Sequence, residues 1–367
     1  MLPFFGPAFG NPSSVHHVGR IARAGLDDAR ERISAALRCK PSEIVFTSGG
    51  TESVNLAVFG VARLLRQKGR HIITSAVEHH AVLHCCKYLE EREGFRITYL
   101  PVNSEGVVSV DCLEKAISPD TILVSIMAAN NETGTIQPIT ALGAVCQSRG
   151  IIFHTDAVQW FGKEPVSSIH QFNASLVSIC AHKFYGPKGA GALFIKSPLV
   201  LDPILFGGSH ELERRAGTEN LAGIIGLAYA VERFLNPPIF PKEMLTSLTG
   251  HLAFSLSSLP GVLRLGSSSQ RLSNTLAVSI AGCDSFSLVA ALDLEQICVS
   301  SGAACSSGSL EPSHVLAAMG LPRETTNSLI RFSLGRESTL EEVKTIISAL
   351  PQIIRRVKEA SKVSSNL

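Results

Sequence analysis

VSICAHKFYGPKGA, Val177 to Ala190, is the stretch from which the rest of the chain can be read. The apolar run Leu176 to Cys180 predicts a short buried strand. It ends at Ala181-His182-Lys183, and Gly186, Pro187 and Gly189 then mark a tight loop. A second apolar run, Gly191 to Ile195, follows. A lysine at the end of a buried strand, beside a histidine and under a Gly/Pro loop, is poorly placed for simple solvation. Burial favours the neutral amine, and a neutral amine attacks carbonyls. A lysine in a loop is more often an ordinary surface cation, so the flanking chain has to decide.

Upstream, strand and helix patterns alternate. Glu43 to Thr47 predicts a strand, followed by Ser48-Gly49-Gly50-Thr51-Glu52-Ser53 and a helical pattern through Val54, Leu56, Val58 and Ala62. Strands are predicted at 71–76, 96–102, 121–127 and 151–154, and helices at 80–88, 110–117 and 139–148. This rhythm argues for a mainly parallel sheet with helices on both faces. Five of the predicted strands end in polar residues: GGT, EHH at Glu78 to His80, NNE at Asn130 to Glu132, DAVQ at Asp156 to Gln159, then His182-Lys183. Ligands of open α/β sheets bind beyond the carboxyl ends of the strands. Five such clusters at one edge are hard to explain as five separate caps, and they shift the reading of Lys183 from surface cation to functional amine.

Bulk properties narrow the function classes. The 367 residues are 45% hydrophobic and 17% charged, enough for a sizeable core. A net charge of +2 provides no basic field for nucleic acid, and no apolar window is long enough to span a membrane. The N-terminus lacks the basic and apolar regions of a signal peptide. Nine cysteines, with no CxxC pair, suggest reduced thiols and a cytoplasmic protein. No metal site is expected, because the Cys and His residues near 79–86 do not form a four-ligand set.

Residues 203–224 read as a long Gly-rich charged loop, and Asn236-Pro237-Pro238 breaks the helix after it. We therefore expect a large domain at 11–235 and a smaller α+β domain made of 1–10 and 236–367. The latter carries Val299 to Gly308, VSSGAACSSG, a poor core segment in which Cys305 has the setting of an accessible nucleophile.

A strand-end lysine, an aspartate at a neighbouring strand end and a helix N-terminus that can hold an anion suit pyridoxal 5'-phosphate. That cofactor needs an amine for its aldehyde (Lys183), a carboxylate for its ring nitrogen (Asp156) and a cradle for its phosphate (Gly50 and Thr51). His79 is placed to stack on the ring. A dinucleotide site is disfavoured, since no GxGxxG follows a strand.

The motifs GNPSSVH, EIVFTSGGTES, EHHAVL, NNETGTIQP, HTDAVQ, AHKFYGPKGAG, RRAGTEN, VSSGAACSSGSLEPSHVL and IRFSLGR run in order from about Phe9 to Glu342. In this order they resemble the cysteine desulfurases of the NifS/IscS type, fold-type I pyridoxal-phosphate enzymes of the class V aminotransferase group. The resemblance implies a seven-stranded-type, mainly parallel sheet in the large domain and a smaller C-terminal domain. It implies Lys183 as the Schiff-base lysine, His79 as the ring-stacking group and Asp156 as the pyridinium partner, with Gln159 and Asn131 on the ring-hydroxyl side. Gly50, Thr51, Cys180 and His182 fall at phosphate-contact positions. Thr218 matches a phosphate contact given by the other subunit, which implies a homodimer. Arg331, with Asn131, would hold the carboxylate of L-cysteine. Cys305 would attack the substrate sulfur and carry it as a persulfide to an acceptor such as an Fe–S scaffold. Selenocysteine lyase shares fold and cofactor and is the alternative.

Three departures stand out. The group usually begins with a strand resembling YLDNNATT about 20 residues upstream, and Met1 to Phe5 resembles the helix after it. A chain without that strand is expected either to start from a misassigned codon or to be an impaired paralogue. Cys180 stands where a serine usually bonds the phosphate, and a thiol is the weaker donor. Ser209, Leu212 and Glu213 replace the more usual glycine and arginine, which is expected to loosen the dimer contact.

Overall fold

The structure is a computed structural model that describes residues 1–302 and 312–364, with side chains described as far as 360. Two compact units are present. The first holds 1–100, 110–128 and 138–239, and the second 101–109, 129–137 and 240–367.

The first unit is built on seven strands: β1 (Ile44–Thr47), β2 (His71–Ser75), β3 (Arg96–Leu100), β4 (Thr121–Ser125), β5 (Ile152–Asp156), β6 (Leu176–Cys180) and β7 (Gly191–Ile195). Their order across the sheet is β1-β7-β6-β5-β4-β2-β3. Every neighbouring pair is parallel except the two that include β7. All but the edge strand β3 are almost wholly buried. Strands covered on both faces are mostly apolar, which is why they read as short runs. The unit's helices are α1 (His17–Leu37), α2 (Gly50–Leu65), α3 (His80–Glu93), α4 (Val110–Ala116), α5 (Ile139–Ser148) and α6 (Leu221–Phe234). Val54, Ala57, Val58 and Val61 of α2 pack into a core with Val45, Ile72, Leu123, Leu176 and Leu193. The sheet therefore fixes the start of α2 beside the ends of β5 and β6.

The second unit has an antiparallel sheet of β8 (Val262–Leu265), β9 (Thr275–Ile280) and β10 (Leu329–Ser333), in the order β10-β9-β8. Its helices are α7 (Lys242–Ser257), α8 (Ser285–Leu294), α9 (His314–Ala318), α10 (Arg323–Thr326) and α11 (Leu340–Ser364).

The expected domain boundaries need correction. Residues 1–10 belong to the first unit: the Leu2–Phe5 turn packs on α6, and the Phe4 ring lies 2.8 Å from where a Cβ on Gly25 of α1 would be. Residues 129–137 belong to the second, because Ile136 N–H bonds Gln270 O at 2.9 Å and Leu272 N–H bonds Gly134 O at 2.9 Å. Residues 101–109 follow them, since Gln137 donates to Gly106 O (2.7 Å) and accepts from Val108 N–H (2.9 Å). The 203–224 loop contains a short turn, His210–Glu213, in which Glu211, Leu212 and Glu213 are all left-handed, a conformation that strains side chains with a Cβ. Glu211 holds it, with both carboxylate oxygens on Arg30 (2.6 and 3.0 Å) and one also accepting from Phe46 N–H (2.9 Å).

Candidate active site

Because β2, β4, β5 and β6 are parallel, their carboxyl ends fall at one edge of the first unit's sheet. Asp156 closes β5 in register with Ser178 of β6, and Lys183 lies in the single turn Ala181–Phe184 that directly follows β6. The Asp156 side chain is buried, and its Oδ1 accepts from Val158 N–H at 2.9 Å. Burial pushes its pKa up to about 6, against the opposing pull of Val158 N–H and the charge of Lys183. Lys183 is half-buried, more open than the sequence reading expected.

The start of α2 completes the arrangement. Its N-cap is Gly49, and no side chain caps it. The first-turn N–H groups of a helix have no acceptor within the helix and favour an anion. The surroundings are too close for side chains: a Cβ on Gly50 would lie 2.8 Å from the side-chain Cγ2 of Val158, and one on Gly191 would lie 2.8 Å from Gly49 Cα. Cys180 Sγ lies 2.9 Å from His182 Nδ1. Burial raises the Cys180 thiol's pKa, while the N–H groups of Gly50 and His182 and the Lys183 charge work against it. Cys180 Sγ thus lies between His182 and the Gly50 N–H at the helix start. A phosphate group fits this cradle, and Asp156 and Lys183 fit an aromatic ring nitrogen and an aldehyde. Thr51 is exposed on the same first turn.

His79 is the N-cap of α3, its Nδ1 accepting from Ala81 N–H at 3.1 Å. Gln159 follows Asp156 and accepts a bond from the buried Lys163. Thr218 is exposed and lines a cavity of about 170 Å³ with Ser48, Arg215 and Asn220. Beside that cavity, burial alone would raise the Glu52 pKa, but Arg215 (2.7 Å) and Ser48 N–H (2.8 Å) outweigh it and hold the carboxyl below its ordinary value.

In the second unit, Arg331 on β10 and Asn131 come together: Arg331 Nη1 donates to Asn131 O at 2.5 Å. Its Nη2 reaches Ser300 Oγ at 3.2 Å, and its Nε reaches Ser333 Oγ at 3.0 Å. Burial lowers the guanidinium's pKa, and Glu132 opposes that shift. Cys305 lies outside the described residues.

Sequence reasoning missed several buried polar groups beside these residues. Glu78 accepts from Ser75 Oγ (2.6 Å) and from Met127 N–H (2.9 Å), and burial lifts its pKa to about 8. His154 bridges Ser125 Oγ (2.8 Å) and Ser178 Oγ (3.0 Å), and Ser53 Oγ in the first turn of α2 bonds Ser178 Oγ at 2.9 Å. The only available sequence signal was their position, one or two residues from His79, Asp156, Cys180 and Thr51.

Comparison with known proteins gives the chain's family. Residues 1–346 match the family model described as Aminotransferase class-V. A cysteine desulfurase, IscS, of Dictyoglomus turgidum is 49% identical over 362 residues, covering 98% of this chain and 91% of the relative. A solved structure of a NifS-like protein superposes with a TM-score of 0.86 at 36% identity, covering 99% of this chain and 94% of that one. A structure described as SspA in complex with cysteine superposes with a TM-score of 0.80 at 36% identity, covering 92% and 94%. The chain belongs to the class V aminotransferase family, and within it to the cysteine desulfurases of the NifS/IscS type.

Proposed function

We propose that the chain carries out its cysteine desulfurase reaction with pyridoxal 5'-phosphate held at the sheet edge of the first unit and with L-cysteine as substrate. The buried Asp156 carboxylate, one residue past which the chain turns away from the sheet and toward which the Lys183 charge acts, is the observation that carries this reading. When bound, the cofactor supplies an aldehyde that an amine can capture and a ring that can store an electron pair. Lys183 would hold that aldehyde. Asp156 would stay ionised against the ring nitrogen, His79 would cover the ring face, and Gln159 would lie on the hydroxyl side. Gly50, Thr51, Cys180 and His182 would hold the phosphate, joined by Thr218 of a second copy in a homodimer. That one known relative is described in complex with cysteine supports the substrate assignment.

The side chains then divide the work. Among the described residues, Arg331 uses three of its five N–H groups on Asn131, Ser300 and Ser333, leaving one on each terminal nitrogen. Two parallel donors suit the substrate carboxylate. Lys183 takes the Cα proton. The Cys305 thiolate attacks the substrate sulfur: an S–S bond forms, the substrate C–S bond breaks, and its electron pair ends on the carbon that becomes the methyl group. The sum is L-cysteine plus enzyme thiol giving L-alanine plus enzyme persulfide. An acceptor protein takes the terminal sulfur. CSSGSLEPSHVL, residues 305–316, resembles the group that passes sulfur directly to a scaffold, which supports an Fe–S scaffold as the acceptor.

The test is release of alanine and sulfide from L-cysteine with a reductant, for wild type, Lys183→Ala and Cys305→Ala. Wild type should release both. Cys305→Ala should keep its cofactor absorbance and lose sulfide, and Lys183→Ala should lose both products. Sulfide release by Cys305→Ala at the wild-type rate would remove that residue from the mechanism.

A further inference from the structure

Lys163, in the first unit, is 4% exposed, and the reaction described above gives it no part. A lysine is seldom buried unless its ammonium is paired, because taking a charge out of water is costly. Its Nζ donates to Oε1 of Gln159, four residues before it. The chain between Asp156 and Lys163 is tightly wound. Val158 N–H bonds Asp156 Oδ1 at 2.9 Å, Trp160 N–H bonds Ala157 O at 2.9 Å, and Lys163 N–H bonds Trp160 O at 3.1 Å. The rings of this turn are packed. Trp160 meets Phe172 edge-on at 5.7 Å, and Phe161 lies 6.1 Å from both Phe172 and Phe184, the residue after Lys183. Lys163 and Gln159 are therefore held in one block with Asp156 and the turn that carries Lys183.

The bond decides which way the Gln159 amide faces. An ammonium only donates, so the amide atom against it is the oxygen, and the NH2 is left as the group that can meet a ligand. Gln159 is half-buried, and among the described residues its Nε2 has no acceptor. A glutamine free to turn would offer its oxygen as readily as its NH2, and an oxygen set against another oxygen repels it.

We propose that Lys163 is a positioning residue that fixes the Gln159 amide with its NH2 as a donor to the ring hydroxyl oxygen of pyridoxal 5'-phosphate. It acts through Gln159 and not on the phosphate, the ring nitrogen or the substrate carboxylate. The inference rests on the reading of Gln159 as the hydroxyl-side contact. A donor at that oxygen stabilises the deprotonated form of the bound cofactor, in which the oxygen carries more negative charge. Withdrawing the donor therefore moves the cofactor's titration to higher pH. The other titratable groups assigned to this sheet edge, Asp156, Lys183, His79 and His182, are the same in every variant compared.

The test uses the full-length holoenzyme as wild type, Gln159→Leu, Lys163→Met, Lys163→Arg and the Gln159→Leu/Lys163→Met pair. The long-wavelength absorbance of the bound cofactor is titrated with pH, and cofactor per chain is measured alongside. Loss of one neutral hydrogen bond should move the midpoint by roughly half a pH unit to one unit. Gln159→Leu should raise it by that amount, and Lys163→Met should raise it as far, with cofactor content little changed. Lys163→Arg keeps a donor for Gln159 Oε1 and should return most of the shift. The pair should match Gln159→Leu, because Lys163 then has nothing left to position. An unshifted Lys163→Met beside a shifted Gln159→Leu overturns the inference alone. So does a further rise in the pair, which would mean that the ammonium acts by its own charge. An unshifted Gln159→Leu takes that residue off the hydroxyl side and the inference with it. A wild type without cofactor absorbance overturns the cofactor reading beneath both. If Lys163→Met does not fold, Lys163→Leu is read in the same way, and loss of both holoproteins assigns Lys163 to folding alone and overturns the inference.

Discussion

At the residue scale, the proposed phosphate cradle carries a thiol where a hydroxyl would donate more strongly. Cys180 Sγ is buried at the start of α2, beside His182 Nδ1 at 2.9 Å. A neutral hydrogen bond contributes about 0.5–1.5 kcal/mol, so exchanging a weak donor for a good one should tighten cofactor binding about two- to tenfold. Cys180→Ser should slow cofactor release during dialysis, followed by absorbance and by the gain in Tm on adding pyridoxal phosphate. Equal release from both proteins would mean that the thiol does not face the phosphate. Asp156 makes a sharper prediction. Asparagine keeps its shape and its acceptor for Val158 N–H but cannot remain an anion. Asp156→Asn should lower kcat about 100-fold, the scale expected when a single preorganised electrostatic partner is removed. A loss of less than about threefold would take the carboxylate out of the reaction.

At the element scale, Glu78 ties the end of β2 to the segment after β4, accepting from Ser75 Oγ and Met127 N–H. Burial is the largest cause of its rise to about 8, and the nearby Asp156 charge adds to it. A carboxyl raised on folding keeps a proton that the unfolded chain has lost. Its contribution to stability is full below the ordinary carboxyl value, about 4.3, and is lost as pH rises through about 8. His154 acts with the opposite sign. Burial lowers it to about 3, so its contribution is full above its ordinary value, near 6.5, and falls away as pH drops toward 3. Tm of the cofactor-free protein should therefore fall between pH 5 and 8 more steeply in wild type than in Glu78→Gln (parallel curves would show that Glu78 does not titrate on folding). These groups also mark the limit of what sequence can reveal. The strands were legible because each is a short apolar run ending in polar residues, and Leu176–Cys180 and Gly191–Ile195 have the extents read from sequence. Lys183, Asp156 and the start of α2 were legible because one sheet edge collects them. The bond from Met127 to Glu78 and the partners of His154 were not, since they depend on contacts 24 to 49 residues away along the chain. The same holds for the membership of 129–137 in the second unit, which a pairing with 270–272 decides and no local pattern announces.

At the scale of the whole molecule, the first unit shows large apolar side chains to solvent on two segments distant in sequence. Leu2, Phe5, Phe9 and Val15 lie before α1, and Phe206 and Leu212 lie in the loop before α6, Phe9 at 76% and Phe206 at 81% exposed. Both segments are anchored near α1. The first packs its Leu2–Phe5 turn on α6 with Phe4 against α1, and the second is pinned to Arg30 of α1 through Glu211. Apolar groups gathered in this way mark surfaces that another molecule covers. Thr218, six residues beyond Leu212, is the residue for which the proposed site calls on a second copy, and a two-fold interface presents the same surface from both chains. These segments should therefore form the homodimer contact, and light scattering should give twice the 39.1 kDa chain mass. Phe206→Asp paired with Leu212→Asp should shift the protein toward monomer and, by withdrawing Thr218 from the partner's phosphate, should lower cofactor content in the same fractions. Glu211 remains in place in that variant, so the loop keeps its own anchor and the fold is tested separately by far-UV circular dichroism. A monomer that retains full cofactor would show that Thr218 does not act across the interface, and an unchanged dimer would place the interface elsewhere on the surface.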